Sequence, residues 1–360
     1  MKLEAWYPNH PPIYDLSKTY LENLQEGPFF QAEIPARPES KATIDFLGHK
    51  VRSPIGVPAG PLLGSRWIAL ASKLGFDVVT YKTIRSGLHA GHGLPNMIYV
   101  EPTGAHTAHP LPRPPAHLEE LTVTNSFGMP SRSPDFLIAD IEAANRSLGP
   151  GQLMIVSVVG TLHAGSSFKD DFVKTALFAK EAGAKVIEAN FSCPNVHKAE
   201  GILYMDPKTV LEFASAIAKA IAPLPLILKV GEIENLSLMK EILEAAAKGG
   251  ARAICGLNSV SMTIIDESGK SPLGAHRQQS GVCGGHIRAR ALHFIENAAH
   301  IIAREKLDLT LMGCGGIMLA SHFDPFLEAG AKIAMTATGM MWDPFLALRY
   351  HNQKSKSYAH

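Results

Sequence analysis

Residues 168–191 read FKDDFVKTALFAKEAGAKVIEANF, and this stretch shows the unit from which most of the chain is built. From residue 168 to residue 182, apolar side chains recur at i, i+3 and i+4, which predicts an amphipathic helix. Gly183 stands where such a helix would end, because glycine readily adopts the conformation that closes a helix. Residues 185–191 are typical of a short buried strand. The stretch is therefore predicted to be one helix and the strand after it.

The same alternation of short apolar runs and longer helical patterns extends over the chain from Ser53 onward, which is typical of parallel strands joined by helices. Eight such strands close into a (β/α)8 TIM barrel, so the predicted fold class is α/β. The competing doubly wound sheet requires a G-x-G-x-x-G fingerprint, which residues 60–64 do not match. The predicted strands are residues 54–59, 77–82, 154–159, 185–191, 226–230, 253–257, 309–313 and 333–337. The other predicted helices are residues 67–74, 134–148, 207–221, 236–248 and 287–304.

One barrel domain accounts for most of the 360 residues. Residues 53–345 are predicted to form it, after an N-terminal extension at 1–52 that packs on the barrel and before a C-terminal tail at 346–360. Two connections, 83–153 after the second strand and 258–286 after the sixth, are too long for simple turns, and loops of that length usually serve a site. The extension has apolar residues at helical spacing that predict one short helix, and these are Ile13, Leu16, Tyr20, Leu21 and Leu24.

Composition excludes several classes of protein. Lys and Arg total 34 against 33 for Asp and Glu, so the chain has no broad basic field to hold nucleic acid. The start of the chain lacks the apolar core of a signal peptide, and no window approaches the roughly 18 to 20 apolar residues of a membrane helix, so we expect a soluble, cytoplasmic protein without an integral membrane segment. The cysteines form no C-x-x-C pair, which argues against a zinc ribbon or an iron–sulfur cluster in this chain. They are Cys193, Cys255, Cys283 and Cys314.

Polar residues follow the predicted strands at the end where a barrel carries its chemistry. Lys82 ends the second strand and Lys229 lies in the fifth, and a lysine facing a barrel mouth is costly without an anionic partner. Gly315 and Gly316 follow the seventh strand and Thr338 follows the eighth, a pairing that favours a phosphate held by main-chain amides. The sequence thus predicts a site for a phosphate-bearing cofactor. No metal is expected, because no carboxylate recurs at ligand spacing near the histidines His89, His92, His106 and His109.

Several segments resemble those of the dihydroorotate dehydrogenase family. Residues 190–195, NFSCPN, are similar to its N-x-S-[CS]-P-N segment, and residues 125–130, NSFGMP, are similar to its N-S-x-G-[LM]-P substrate loop. Further segments at 81–83, 258–259, 281–284, 313–317 and 337–338 and the lysine at 229 occur in the family's order. The resemblance covers roughly residues 53–342. It implies an FMN-containing barrel that oxidises (S)-dihydroorotate to orotate in pyrimidine biosynthesis.

The resemblance also assigns residues. Cys193 takes the place of the catalytic base, as in the soluble class 1 enzymes, whereas the membrane-associated class 2 enzymes have serine. Lys82 and Asn195 complete the implied catalytic set. The implied FMN contacts are Ala59, Gly60, Lys82, Thr83, Asn190, Lys229, Gly284, Gly315, Gly316, Ala337 and Thr338. The implied substrate contacts are Lys82, Asn125, Gly128, Met129, Asn190, Asn195, Asn258 and Ser259.

These residue types suit the implied reaction. A thiolate removes the C5 proton of dihydroorotate if its pKa is lowered toward neutrality, and a hydride passes from C6 to flavin N5. Carboxamides match the carbonyl and N–H groups of the pyrimidine, and lysine offsets the substrate carboxylate and the charge near flavin N1. Residues 229–232 (KVGE) and 281–284 (GVCG) depart from the family's usual segments. The electron acceptor stays open among fumarate, a pyridine nucleotide reached through a separate iron–sulfur partner protein, and a quinone, and the family suggests a homodimer.

Two other enzyme classes remain as alternatives. A related flavin enzyme acting on uracil-like dihydropyrimidines would have no substrate carboxylate to pair with Lys82, and it is expected to carry His at the position of Asn195. A Schiff-base aldolase barrel would use Lys82 or Lys229 as its nucleophile and would need no flavin. A noncatalytic flavin-binding barrel is the third alternative, in which Cys193 would be replaceable without loss.

Overall fold

The computed structural model describes residues 3–39, 43–162, 165, 167–192 and 202–357. Within these ranges the strands are β1 (Ile44–Phe46), β2 (His49–Val51), β3 (Ile55–Val57), β4 (Val78–Ile84), β5 (Met97–Pro102), β6 (Thr107–Pro110), β7 (Thr122–Asn125), β8 (Leu153–Val158), β9 (Val186–Asn190), β10 (Leu226–Lys229), β11 (Ala253–Gly256), β12 (Val260–Ile264), β13 (Gln279–Gly284), β14 (Thr310–Cys314) and β15 (Ile333–Met335). The helices are α1 (Tyr20–Glu26), α2 (Ser65–Lys73), α3 (Pro134–Arg146), α4 (Phe168–Glu181), α5 (Pro207–Ile221), α6 (Leu236–Lys248), α7 (Arg288–Glu305), α8 (Phe323–Glu328), α9 (Thr338–Trp342) and α10 (Leu346–Ser357).

A closed barrel of eight parallel strands forms the centre of the molecule, and it confirms the predicted TIM barrel. Its strands follow one another in chain order, and they are β3, β4, β8, β9, β10, β11, β14 and β15. Each predicted strand begins and ends within two residues of the corresponding observed strand. The helix predicted at 207–221 begins and ends as predicted, with the Asp206 carboxylate accepting a hydrogen bond from the main-chain N–H of Thr209 at 3.0 Å. The carboxyl ends of all eight strands meet at one face, called here the barrel mouth.

The barrel interior is a separate apolar core from the layer between strands and helices. Val78, Ile155, Val186 and Ile227 are among the inward side chains that fill it. The opposite end from the mouth is closed by the antiparallel hairpin of β1 and β2, whose Phe46 and Val51 side chains belong to the same core. Burial of these side chains, each worth roughly 1.5–3 kcal/mol, stabilises the closed barrel.

The two long connections form a second sheet that the sequence did not predict. β5, β6 and β7 come from the first connection and β12 and β13 from the second, and together they close into a five-stranded sheet. We call these five strands the cap sheet. Met97, Val123 and Cys283 of the cap sheet line the same cavity as residues of the barrel mouth. The cap sheet therefore covers the mouth, and its strands pair across more than a hundred residues of sequence, as Cys283 does with Val123.

The leading segment packs on the main core. Trp6, Ile13 and Tyr14 are buried in it. The predicted helix is shorter than its spacing suggested, because Thr19 caps α1 in a reciprocal capping box with Glu22, so Ile13 and Leu16 precede the helix.

At the other end of the chain, the stretch expected as a tail contains α10. Its first residues Leu346, Ala347 and Leu348 are fully buried against the main core. Within the described part of the chain, none of the helices combines the length and the apolar character needed to cross a membrane.

Candidate active site

A cavity lies between the barrel mouth and the cap sheet. Residues of both layers line it, and its space between atoms, about 1150 Å³, includes space that is open to solvent. All the residues predicted to contact a cofactor line it, and these are Ala59, Gly60, Lys82, Thr83, Asn190, Lys229, Gly284, Gly315, Gly316, Ala337 and Thr338. The predicted substrate contacts that the structure describes line it too, and these are Lys82, Asn125, Gly128, Met129, Asn190, Asn258 and Ser259. Cys193 and Asn195 lie outside the described residues.

A chain of polar side chains runs across one wall of the cavity. The Asn258 carboxamide donates to Asn190 Oδ1 at 3.4 Å, and the Asn190 carboxamide donates to Thr83 Oγ1 at the same distance. The Thr83 and Ser157 hydroxyl oxygens lie 3.0 Å apart. These residues come from β4, β8, β9 and the end of β11, so the barrel register brings them together. The network holds the Asn190 amide in one orientation, because its oxygen accepts while its nitrogen donates.

Lys82 is buried at the mouth beside two aromatic rings. Its ammonium lies 5.7 Å from the centre of the Tyr20 ring and 5.3 Å from that of Phe127. Both rings attract a cation, so they favour the charged form of the lysine at a site where its side chain is only 8% exposed. Tyr20 belongs to α1, which means that the N-terminal extension contributes to the surroundings of this site.

Lys229 lies at the floor of the cavity among two thiols and a carboxylate. Its ammonium donates to Cys314 Sγ at 3.2 Å, and Cys314 Sγ lies 3.9 Å from Cys255 Sγ. Burial lowers the pKa of the Lys229 ammonium, but Cys255, Cys314 and Glu188 raise it by more, and the net direction is upward. The hydrogen bond from Cys255 and the Lys229 charge outweigh burial and lower the pKa of Cys314 from 9.0 to about 7. Lys229 therefore keeps its proton at neutral pH.

Three glycines, at two places in the chain, let the main chain line the cavity closely. Gly315 and Gly316 have φ of +116° and +76°, and a Cβ on Gly316 would lie 2.5 Å from the main chain of Arg288. Gly284, with φ of +103°, would place a Cβ 2.3 Å from the carbonyl oxygen of Leu121. Side chains are excluded from these positions, so the main chain itself lines the cavity there.

The segment predicted to bind substrate is anchored by a buried arginine. Arg85, 2% exposed, donates to the carbonyl oxygens of Met129 at 3.1 Å and Gly160 at 3.0 Å. Met129 has φ of +49°, an uncommon value for a residue with a side chain, and Gly128 before it has φ of +72°. The arginine thus ties this strained turn to the loop after β8.

The sequence interpretation missed several residues of the cavity. Tyr14 and Phe127 line it, and so do Cys283 and Cys314. Cys283 lies in β13, and Cys314 is the last residue of β14. Asn125 donates to Cys283 Sγ at 3.4 Å. Periodicity could have placed Cys314 on the inward face of its strand, and Phe127 lies within the segment that resembles the family's substrate loop, but nothing local in the sequence assigns Tyr14 to the site.

No group of three or more metal-ligating side chains occurs among the residues that the structure describes. His109 hydrogen bonds with the carbonyl oxygen of Ile265 at 2.9 Å, and His92 lies 3.2 Å from the Ser126 hydroxyl. Burial, the largest effect, and the nearby Arg277 charge lower the pKa of His92. These two histidines have structural partners.

Comparison with known proteins assigns the family. The family profile described as dihydroorotate dehydrogenase matches residues 41–353. The chain is 43% identical to a dihydroorotate dehydrogenase of Dictyostelium discoideum over 98% of this chain and 100% of that protein. It is 29% identical to a dihydroorotate dehydrogenase A (fumarate) of Limosilactobacillus reuteri over 49% of this chain and 55% of that protein.

A third relative is the catalytic subunit of a dihydroorotate dehydrogenase B (NAD(+)) of Maridesulfovibrio salexigens. The identity is 29%, over 60% of this chain and 68% of that protein. The profile match extends over most of the chain, and the similarity to the Dictyostelium protein is end to end. The chain therefore belongs to the dihydroorotate dehydrogenase family, a family of oxidoreductases.

Proposed function

We propose that this protein is an FMN-dependent enzyme that oxidises (S)-dihydroorotate to orotate in pyrimidine biosynthesis. The observation that carries the proposal is the convergence of the predicted cofactor and substrate contacts on one cavity, in a chain of this family. Those residues come from segments spread between Ala59 and Thr338, and only the closed barrel with its cap sheet brings them together.

The cavity suits FMN. The turn at Gly315 and Gly316 offers main-chain amides with no side chain in front of them, as a phosphate requires, and Thr338 adds a hydroxyl nearby. Lys229 keeps a positive charge at the cavity floor, where it would stabilise negative charge on a reduced isoalloxazine. FMN bound in this cavity would supply the hydride acceptor for C6 of the substrate.

The remaining lining residues suit a carboxylated pyrimidine. Asn125, Asn190 and Asn258 each offer a donor and an acceptor, as the alternating carbonyl and N–H groups of dihydroorotate require. Lys82 offers a positive charge for the substrate carboxylate, and it is buried beside the rings of Tyr20 and Phe127. Orientation by fixed groups of this kind lowers the entropic part of the barrier.

Cys193 is proposed as the base that takes the C5 proton. It follows β9 directly after Ser192, the residue whose main-chain N–H donates to Asn190 Oδ1 at 3.2 Å. The carboxamide network thus holds the chain as far as Ser192, the residue before the proposed base. A thiolate near the substrate can accept this proton if neighbouring positive charge lowers its pKa.

The Schiff-base alternative requires a neutral amine nucleophile. Lys229 remains protonated because its neighbours raise its pKa, and Lys82 faces two aromatic rings that favour its charged form. Lys229 is therefore not prepared for attack on a carbonyl. The dihydropyrimidine alternative leaves Lys82 without an anionic substrate group. The two flavin hypotheses therefore differ in which substrate should reduce the flavin, one with a carboxylate or one without.

The proposal is tested with the full chain loaded with FMN. Cys193→Ala is expected to slow flavin reduction by (S)-dihydroorotate at least ~100-fold, the scale typical of general-base loss, while FMN content stays the same. Stopped-flow absorbance under anaerobic conditions measures the rate. Cys193→Ser is the matched variant, and it should recover part of the rate at high pH. Unchanged reduction in Cys193→Ala would place the base elsewhere, and failure to bind FMN in the unmodified protein would remove the proposal.

The electron acceptor is determined in the same preparation. Fumarate, NAD+ and a soluble quinone are each added to the reduced protein, and reoxidation of the flavin is followed. Because no C-x-x-C pair occurs in the sequence, NAD+ alone is expected to reoxidise the flavin slowly, and a separate iron–sulfur partner would be needed for rapid transfer.

A further inference from the structure

A buried carboxylate lies beneath the cavity and is not used by the proposed reaction. Glu188 is fully buried in β9, and among the residues that the structure describes neither of its carboxylate oxygens has a hydrogen-bond partner. Val186, two residues earlier on the strand, packs in the barrel interior. Alternation along a strand therefore places the Glu188 side chain in the interior as well. A carboxylate in such a place costs several kcal/mol unless another charge compensates it.

The charge that compensates it is Lys229. β9 and β10 are neighbours, with Ile227 paired to Glu188 and Lys229 paired to Asn190. Ile227 is an interior side chain, so Lys229 points inward two residues further toward the mouth. Glu188 and Lys229 thus both point into the barrel interior from adjacent strands, and the carboxylate is among the groups that raise the pKa of Lys229.

The charged side chains that line the cavity above Glu188 are all positive among the described residues. Lys82 and Lys229 line it, and none of the described lining residues is acidic. Cys314 is the direct partner of Lys229, but Glu188 opposes ionisation of its thiol, so carboxylate and thiol compete for the same positive charge. The charge at the cavity floor thus depends on Glu188.

We propose that Glu188 is a positioning residue that acts through Lys229: it holds the Lys229 ammonium at the cavity floor and offsets part of its charge toward a flavin bound there. This inference rests on the proposed function. Reduction of a flavin adds negative charge that a nearby cation stabilises. With the Glu188 side chain on the neighbouring strand, Lys229 stabilises reduced flavin less, and the flavin passes its electrons to an acceptor more readily.

The test is the reduction potential of the bound FMN. Cys314→Ala is used as the background, because the thiol could otherwise ionise and replace the missing charge. Adding Glu188→Gln should shift the equilibrium toward reduced flavin at least tenfold, about 30 mV upward for a two-electron couple. Adding Thr80→Val instead removes another fully buried, unpartnered polar group of the barrel without changing charge, and it should leave the potential unchanged.

A second comparison tests whether the effect passes through Lys229. In a Lys229→Met protein, Glu188→Gln should shift the potential much less, because the two effects are not additive when one group acts through the other. An equal shift in both backgrounds would overturn the positioning role. If Glu188→Gln does not fold, Glu188→Asp keeps the charge but withdraws it by one methylene group, and a smaller upward shift is expected.

The outcomes separate this inference from the proposed function. An unchanged potential in a protein that binds FMN and is reduced by dihydroorotate would overturn the role of Glu188 alone. A protein that cannot bind FMN in its unmodified form would overturn the proposed function. The potential is measured by spectroelectrochemical titration, and it does not depend on turnover.

Discussion

Gly316 illustrates how a single residue shapes the cavity. Its φ of +76° and its distance from Arg288 leave no room for a side chain. The role of Gly315 and Gly316 could be predicted from the sequence, because two consecutive glycines after a barrel strand favour a turn that binds phosphate. The same holds for Lys82 and Lys229, whose charge stands out within apolar strands.

Gly316→Ala tests the proposed phosphate cradle. The added Cβ would strain the turn by about 1–3 kcal/mol and push it away from Arg288. We expect the dissociation constant for FMN to rise at least tenfold, measured by fluorescence titration of the apoprotein. Gly104→Ala is the control, since nothing lies within 4 Å of its added Cβ. Equal FMN affinity in the two variants would place the phosphate elsewhere.

Glu188 could not have been assigned from the sequence. It stands in the run Val186–Asn190, which predicts a strand correctly but does not tell which charged side chain is inside or what it faces. Its neighbour Lys229 is 41 residues away along the chain, and only the parallel pairing of β9 with β10 brings the two together. Strand register determines which residue lies beside a buried charge, and local sequence patterns do not specify that register.

At the scale of elements, the barrel strands were predictable and the cap sheet was not. Strands such as β8 are buried along their whole length and follow helices with clear apolar spacing, so they stand out as continuous runs. β5 mixes buried, half-buried and exposed residues, and it pairs with β7 across a Pro-rich loop. Its pattern resembles that of a loop, because pairing with β6 and β7 rather than a continuous apolar run of its own holds it in the sheet.

α10 provides an element-scale prediction about pH. His351, 7% exposed, bonds to the carbonyl oxygen of Gly75 at 2.8 Å and so fixes this helix beside the end of α2. Burial, the largest effect, and Arg37 lower the pKa of His351 from 6.5 to about 4. The unfolded chain takes up this proton near pH 6.5 and the folded protein only near pH 4. Stability from this group is therefore present above pH 6.5 and lost as the pH falls toward 4.

Urea unfolding measures this loss. Between about pH 7 and about pH 5, His351 should reduce the free energy of unfolding by about 2 kcal/mol. His351→Gln keeps a donor for Gly75 but does not titrate, so it should lack this part of the pH dependence. The same loss in the variant would assign the effect to other groups.

At the scale of the whole molecule, the barrel provides most of the residues that line the cavity, and the cap sheet and the leading segment provide the others. The cap sheet supplies Asn125 and Cys283, and the leading segment supplies Tyr14 to the lining and Tyr20 to the surroundings of Lys82. The sequence interpretation treated the N-terminal extension as a segment that packs on the barrel. Its aromatic residues reach the cavity because Trp6 and Ile13 anchor it in the main core.

Reduction of the bound flavin by substrate tests the central claim most directly. The purified full-length protein, loaded with FMN, is titrated without oxygen with (S)-dihydroorotate and, in parallel, with dihydrouracil, which lacks the carboxylate. We predict that dihydroorotate bleaches the flavin absorbance with one equivalent per site and yields orotate, whereas dihydrouracil leaves the oxidised spectrum in place. An oxidised spectrum that persists with dihydroorotate, or preferential bleaching by dihydrouracil, would contradict the account.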